Sequence, residues 1–153
     1  MSSPPILLAR TGAITTLTLN RPEHRNAMSP ELFAAFEEAI EEVLADTTTR
    51  ALVLTGSGDC FSAGANLRAE LQRDGDADRP FLPFERSHAM YVPFLRLLDI
   101  EVPVIGALNG HAVGGGFGLS LLCDMRIANR SSKYGANFAK LGFHSGLAIS
   151  YLL

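Results

Sequence analysis

Two segments of small residues constrain the fold of this chain more than any other feature. The first is residues 61–67, FSAGANL, and the second is residues 109–118, which include three consecutive glycines at Gly114–Gly116. Each follows an apolar run typical of a buried strand, and each stands where a helix is expected to begin. The first N–H groups of a helix have no acceptor within the helix, and the helix dipole makes them favourable partners for negative charge. Two such turns predict two backbone donors for one developing oxyanion.

Short apolar runs that suit strands alternate with amphipathic runs that suit helices, which favours an α/β fold. Residues 6–9 and 14–19, rich in β-branched side chains, predict a hairpin. Ser29 followed by Pro30 predicts the start of an amphipathic helix. A second helix is expected to start or kink at Pro93. The remaining predictions are strands at residues 51–55, 102–108 and 125–128, helices at residues 90–98 and 117–122, and a polar loop at residues 68–83.

Composition and charge narrow the class of protein. The chain has 153 residues, 47% of them hydrophobic, and a formal net charge of −3, which suits one globular domain spanning residues 1–153. Nucleic-acid binding calls for a basic patch, which this balance does not favour. The N-terminus lacks the pattern of a secretory signal, and the longest apolar run, near residues 116–123, is too short to span a bilayer. We therefore expect a cytoplasmic protein that binds neither nucleic acid nor membranes.

The familiar sequence motifs for several kinds of site are missing. No glycine pattern of a dinucleotide-binding fold or of a P-loop follows a strand. No closely spaced set of His and Cys predicts a metal site. Ser145, within the sequence GFHSG, stands one position too late for a nucleophile elbow. Cys60 and Cys123 are too few for a disulfide framework, and we expect them to be reduced, buried thiols.

Six blocks of sequence, taken in order, carry a specific resemblance. They are RPEHRNAM at 21–28, LVLTG at 52–56, FSAGANL at 61–67, PVIGALNG at 103–110, GGGFG at 114–118 and CDMRIA at 123–128. Over essentially the whole chain, they resemble the enoyl-CoA hydratase/isomerase (crotonase) superfamily. The resemblance implies a crotonase-like spiral of ββα units and an enzyme, a lyase or isomerase of fatty acid metabolism. It also implies an acyl-CoA thioester as substrate, with coenzyme A as part of that substrate and no separately bound cofactor.

The resemblance also assigns functional positions. By motif position, the two oxyanion donors are the backbone N–H groups of Ala65 and Gly115. Hydration, isomerisation and decarboxylation of an acyl thioester each pass through an enolate, whose oxygen such donors stabilise. Arg25 offers a fork of donors to a CoA phosphate. The full set of implied substrate-binding positions is Arg25, Ala27, Ala63, Gly64, Asn66, Leu67, Val113, Gly114, Gly118 and Phe138.

The chain departs from the family where hydratases carry their two catalytic glutamates. Gly118 and Phe138 stand at those positions, and neither side chain transfers a proton. Addition of water to an enoyl thioester needs one group to activate the water and one to protonate carbon. The ordinary two-glutamate mechanism is therefore not available. His144 is the first candidate for a substitute, followed by His111 and His88, although a lone histidine is more often structural than catalytic.

The chain stops at Leu153 within an apolar pattern and without a polar tail. We interpret this end as the lack of a C-terminal part, which in full-length relatives closes the acyl pocket and forms trimer contacts. With that part supplied, a homotrimer or hexamer is expected. Three hypotheses stay open: an enzyme acting on an acyl-CoA, an acyl-CoA-binding protein of the same fold without turnover, and a truncated inactive form.

Overall fold

The structure, a computed structural model, describes residues 3–65 and 83–153. Its strands are β1 (Ile6–Thr11), β2 (Ile14–Leu19), β3 (Ala51–Gly56), β4 (Cys60–Ser62), β5 (Val104–Leu108), β6 (His111–Val113), β7 (Met125–Ala128) and β8 (Tyr134–Gly135). Its helices are α1 (Pro30–Ala45), α2 (Pro83–Leu95), α3 (Gly115–Leu121) and α4 (Ile149–Leu152). Short 3-10 helices cover Pro22–His24, Arg96–Asp99 and Phe138–Leu141.

The strands form two sheets. β1 and β2 pair as an antiparallel hairpin, which confirms that prediction. They open a five-stranded sheet of order β1-β2-β3-β5-β7, whose other neighbouring strands are all parallel. β4, β6 and β8 form a second, three-stranded sheet that is parallel throughout.

The order of the strands makes the chain a spiral. The successive pairs β3–β4, β5–β6 and β7–β8 each place one strand in the larger sheet and the next strand in the smaller one. In each sheet, the strand of one pair lies next to the strand of the preceding pair, so the chain advances by one strand at each pair. α1 follows the β1–β2 pair and α3 follows the β5–β6 pair. The predicted spiral of ββα units is thus confirmed for the described residues.

Helix α1 anchors the core that supports this spiral. It begins as predicted, because the Leu32 N–H donates to the Ser29 hydroxyl at 3.3 Å. Leu32, Phe36 and Ile40 on its inner face have no exposed surface. Burial of each such side chain stabilises the fold by about 1.5–3 kcal/mol. The Phe36 ring also packs edge-to-face on Phe94 of α2, with ring centroids 4.8 Å apart, so α1 holds α2 in place.

Several boundaries differ from the predictions. α2 begins at Pro83 rather than at residue 90, and Pro93 lies inside it near its C-terminal end. α3 begins at Gly115, and β5 begins at Val104. β4, β6 and β8 were missed, because two or three residues offer too few positions for an alternating pattern. The loop predicted at residues 68–83 lies outside the described residues except for Pro83.

Candidate active site

The first small-residue turn, Ala63–Ala65, follows β4 and is held by the loop that precedes α1. The Ala63 N–H donates to the Arg25 carbonyl at 3.0 Å, and the Met28 N–H donates to the Gly64 carbonyl at 2.8 Å. Gly64 has a φ of +78°, a left-handed conformation that glycine adopts at little cost. The turn is therefore fixed on both sides of Gly64.

Asn26, which sequence reasoning did not single out, locks this loop to the end of β3. It is fully buried with a φ of 52°, a conformation that asparagine tolerates better than most residues. Its side-chain amide donates to the carbonyls of Ser57 at 3.0 Å and Cys60 at 2.8 Å, and its Oδ1 accepts from the Arg21 N–H at 2.8 Å. The Ser62 hydroxyl donates to the Asn26 carbonyl at 2.8 Å. The only hint of this role in the sequence is that Asn26 lies within the polar connection between β2 and α1.

The second turn, Gly114–Gly116, opens α3 and lies directly against the first. Gly114 has a φ of 56°, and its N–H donates to the Gly135 carbonyl at 3.0 Å. A Cβ placed on Gly116 would lie 2.3 Å from the Ser62 carbonyl oxygen. A Cβ placed on Gly64 would lie 2.6 Å from the Val113 carbonyl oxygen and 3.0 Å from the Gly115 nitrogen. The two turns meet only because neither glycine carries a side chain.

The backbone donors predicted from the sequence lie at this junction. Within residues 3–65 and 83–153, neither the Ala65 N–H nor the Gly115 N–H donates a hydrogen bond to another protein group. Both residues line one cavity of about 160 Å³, together with Ala63 and Gly114. We call this space the inner cavity. The inner cavity therefore brings together the two positions at which the sequence predicts oxyanion donors.

Side chains from distant parts of the chain complete the inner cavity. α2 supplies Met90 and Tyr91, the segment after β8 supplies Asn137, Phe138 and Leu141, and the following loop supplies Phe143, His144 and Gly146. Tyr91 and Asn137 are polar lining groups that sequence reasoning missed. A tyrosine within a helix and an asparagine within a loop do not by themselves indicate that they line a cavity. Phe138 also lines the cavity, and its contact with a substrate stays a prediction.

Gly118 lies elsewhere. It is absent from the cavity lining, and a Cβ placed on it would lie 2.9 Å from Leu147 Cβ and 3.2 Å from Ile149 Cδ1. Leu147 and the first residue of α4, Ile149, therefore pack onto α3 at the position where the resemblance implies a glutamate in hydratases. A larger side chain at Gly118 requires these two residues to move.

The structure separates the candidate histidines. His144 lines the inner cavity, and its Nδ1–H donates to the Ser145 carbonyl at 2.9 Å, which leaves Nε2 as the acceptor of the neutral ring. His111 is outside the cavity, and its Nδ1 accepts a hydrogen bond from the Lys133 N–H at 2.8 Å. His88 is exposed and lines a second, neighbouring cavity. Of these three histidines, only His144 lines the inner cavity, which contains the predicted donors Ala65 and Gly115.

The remaining predicted binding positions flank the junction of the two turns. Arg25 is exposed, and its carbonyl holds Ala63 as described above. Ala27 and Val113 are half-buried and do not line the inner cavity. Asn66 and Leu67 lie outside the described residues.

Neither thiol suits nucleophilic chemistry. Cys60 and Cys123 are buried and unpaired. Burial raises the pKa of the Cys60 thiol, and it raises the pKa of Cys123 to about 12. In the part of the chain that the structure describes, no cluster of three His, Cys, Asp or Glu residues suits a metal ion. Nor does any described helix have the length and apolar character needed to cross a membrane.

The sequence and the fold of this chain match those of known proteins. A sequence model of the enoyl-CoA hydratase/isomerase family matches residues 9–153. The chain belongs to the enoyl-CoA hydratase/isomerase family. A probable enoyl-CoA hydratase of Mycobacterium tuberculosis is 36% identical over 149 residues, covering 97% of this chain and 56% of its own length. The 1,2-epoxyphenylacetyl-CoA isomerase of Escherichia coli is 39% identical over 142 residues, covering 92% of this chain and 53% of its own.

Solved structures of family members share the fold. A probable enoyl-CoA hydratase/isomerase from Mycobacterium abscessus superposes with a TM-score of 0.83 at 33% identity. That alignment covers 97% of this chain and 56% of the other. The chain thus spans about half the length of the family members that it matches.

Proposed function

We propose that this chain forms the thioester-binding part of an enoyl-CoA hydratase/isomerase-family enzyme. In this proposal, the backbone N–H groups of Ala65 and Gly115 hold the thioester oxygen as it becomes negative. The observation that carries the proposal is the junction of the two turns, where Gly64 and Gly115 approach so closely that a Cβ on Gly64 would lie 3.0 Å from the Gly115 nitrogen. Ala65 and Gly115 both line the inner cavity, which supports the proposal.

The arrangement suits an enolate intermediate. Removal of a proton next to the thioester carbonyl, or addition of water to the conjugated double bond, places negative charge on the carbonyl oxygen. Fixed N–H donors stabilise that charge without reorganising during the reaction. One such donor lowers the activation barrier by about 2.7–4 kcal/mol, which raises the rate by roughly 10²–10³. Hydration, isomerisation and related reactions of acyl-CoA share this requirement. The two donors therefore indicate an enolate intermediate but do not distinguish among these reactions.

Proton transfer in this proposal falls to His144. The family's carboxylate positions hold Gly118 and Phe138, and Gly118 faces Leu147 rather than the inner cavity. His144 lines that cavity, and the hydrogen bond from its Nδ1–H to the Ser145 carbonyl orients the ring. The free Nε2 of the neutral ring is a base, which suits removal of a proton from substrate or water.

The proposed substrate is an acyl-CoA thioester, with coenzyme A present as part of the substrate and not as a resident cofactor. Arg25, exposed beside the Ala63 turn, is positioned to pair with a CoA phosphate. The names of the relatives, an enoyl-CoA hydratase and an epoxyphenylacetyl-CoA isomerase, support this substrate class. We further propose a cytoplasmic enzyme that works as a homo-oligomer, a trimer or hexamer.

A second function, acyl-CoA binding without turnover, is favoured by one observation. In the described chain the inner cavity has no carboxylate side chain in its lining, and His144 is its one imidazole. If His144 does not act as a base, the chain would still hold a thioester at the two N–H groups. Binding and chemistry therefore need separate measurements.

Two measurements on the 153-residue chain test the proposal. Calorimetric titration with butyryl-CoA and octanoyl-CoA, against free coenzyme A as control, measures recognition of the acyl thioester. Mass spectrometry of butyryl-CoA incubated in D₂O measures exchange of the proton next to the carbonyl, which reports enolate formation whatever the overall reaction.

Acyl-CoA binding with exchange supports the enzyme, and loss of the conjugated enoyl-thioester absorbance with crotonyl-CoA then identifies hydration. Acyl-CoA binding without exchange or turnover favours the binding protein. No binding of any acyl-CoA contradicts both functions.

A further inference from the structure

Tyr91 of α2 stands between two cavities. Tyr91 lines the inner cavity, which has Ala65 and Gly115 in its wall. It also lines a second cavity of about 240 Å³, here called the outer cavity, whose lining includes Val92, Leu95 and Leu147. Tyr91, His144 and Gly146 line both spaces. The two cavities are therefore neighbours that share one wall.

The Tyr91 ring fills the space between the donor turn and the loop at Gly146. A Cβ placed on Gly146 would lie 2.5 Å from the Tyr91 hydroxyl oxygen and 2.7 Å from Cε2, so the ring rests on the Gly146 backbone. A Cβ placed on Gly115 would lie 3.5 Å from Tyr91 Cε1, which is ordinary contact distance. The ring thus extends from Gly115 to Gly146.

Tyr91 lines the same cavity as Ala65 and Gly115, so an acyl chain that extends through this cavity from the two N–H groups contacts the ring. Beyond the ring, Val92, Leu95 and Leu147 offer the apolar surface that methylene groups prefer. We propose that Tyr91 sets the acyl-chain length that the site accepts, by closing the inner cavity against the outer one. This inference rests on the proposed function, because it takes the acyl group of an acyl-CoA as the occupant.

The test compares dissociation constants of saturated acyl-CoAs with 4, 8 and 12 carbons for the wild-type chain, Tyr91→Ala and Tyr91→Phe. Removing the ring joins the two cavities, so each newly buried methylene should tighten binding by about fourfold. Octanoyl-CoA has four more methylenes than butyryl-CoA, so burial of all four should improve the preference of Tyr91→Ala for octanoyl-CoA over butyryl-CoA by about 250-fold relative to the wild type. Tyr91→Phe keeps the ring and should retain the wild-type preference.

A second set of variants keeps the inference testable if Tyr91→Ala does not fold. Gly146→Ala pushes a methyl group onto the Tyr91 hydroxyl and should change the ratio of octanoyl-CoA to butyryl-CoA binding. Val92→Phe fills the outer cavity and should cancel any gain in the Tyr91→Ala background. Leu98→Phe, on an exposed position outside both cavities, is the matched control and should leave every ratio unchanged.

The outcomes distinguish this inference from the proposed function. Equal chain-length preference in wild type and Tyr91→Ala, or in wild type and Gly146→Ala, overturns the role of the ring while leaving acyl-CoA binding intact. A change in Tyr91→Phe as large as that in Tyr91→Ala also overturns it, since the hydroxyl and not the ring would then control binding. A wild-type chain that binds none of the three acyl-CoAs refutes the proposed function itself and the inference with it.

Discussion

Replacing Gly115 by proline removes one proposed oxyanion donor while leaving the backbone otherwise able to form α3. Proline has no N–H, and the first position of a helix tolerates it because that N–H has no acceptor within the helix. Gly115 occupies this first position. Gly115→Ala is the matched control, because it adds the same Cβ and keeps the N–H.

The structure indicates what the added Cβ costs. It would lie 2.8 Å from Met28 Sδ and 3.2 Å from Met28 Cε, both in a flexible thioether, and 3.5 Å from Tyr91 Cε1. Both variants therefore require the same small shift of Met28. The two variants then differ at the backbone nitrogen, where the proline Cδ replaces the hydrogen. Loss of this donor should lower the rate of enolate formation by at least about 10²–10³, or about 2.7–4 kcal/mol.

The assay is exchange of the proton next to the carbonyl of butyryl-CoA in D₂O, followed for both variants and for the wild type. Urea unfolding of each variant shows whether the fold survives. If Gly115→Pro folds and exchanges at the rate of Gly115→Ala, the Gly115 N–H does not stabilise the enolate. The proposed role of the turn junction would then be wrong.

Other expected outcomes follow from the same contacts. Asn26→Ala removes the hydrogen bonds of its side chain to the Arg21 N–H and to the Ser57 and Cys60 carbonyls, so urea unfolding should show a loss of about 2–4 kcal/mol. An unchanged midpoint would contradict the role of Asn26 as a lock. Gly118→Glu restores the family's residue type but drives its Cβ toward Leu147, so we expect about 1–3 kcal/mol of destabilisation and no gain in exchange rate; faster exchange would show that a carboxylate at position 118 reaches the substrate. His144→Gln should slow exchange by about 10²–10⁴ with little change in the butyryl-CoA dissociation constant, whereas His111→Gln should leave both unchanged; equal effects of the two substitutions would remove His144 from the mechanism.

Local signals in the sequence predicted much of the fold. The hairpin of β1 and β2, the Ser29 cap of α1 and the strand β7 each depend on residues that are close together in the chain. Their preferences therefore act before any tertiary contact forms. The short strands of the smaller sheet had no such signal, because they are stabilised by pairing with each other rather than by their own pattern.

The candidate site likewise contains some features that the sequence predicted and others that only the tertiary structure shows. The two small-residue turns were visible because glycine and alanine in place of side chains are a local feature. The contributions of Tyr91 and Asn137 were not visible, since nothing in their neighbouring residues shows that α2 and the segment after β8 reach the same cavity. The position of Gly118 against Leu147 also depends on how the end of the chain packs onto α3.

By itself, the sequence determined the α/β alternation, the family resemblance and the presence of two small-residue turns. Only the tertiary structure decided that the turns meet, that His144 lines the same cavity as Ala65 and Gly115, and that Tyr91 borders two cavities. The physical reason is that backbone preferences are set by neighbours in the chain, whereas a shared cavity requires the sheet order to bring distant segments together. Gly64 and Gly115 belong to successive turns of the spiral, and their contact exists because the spiral moves over by one strand at each turn.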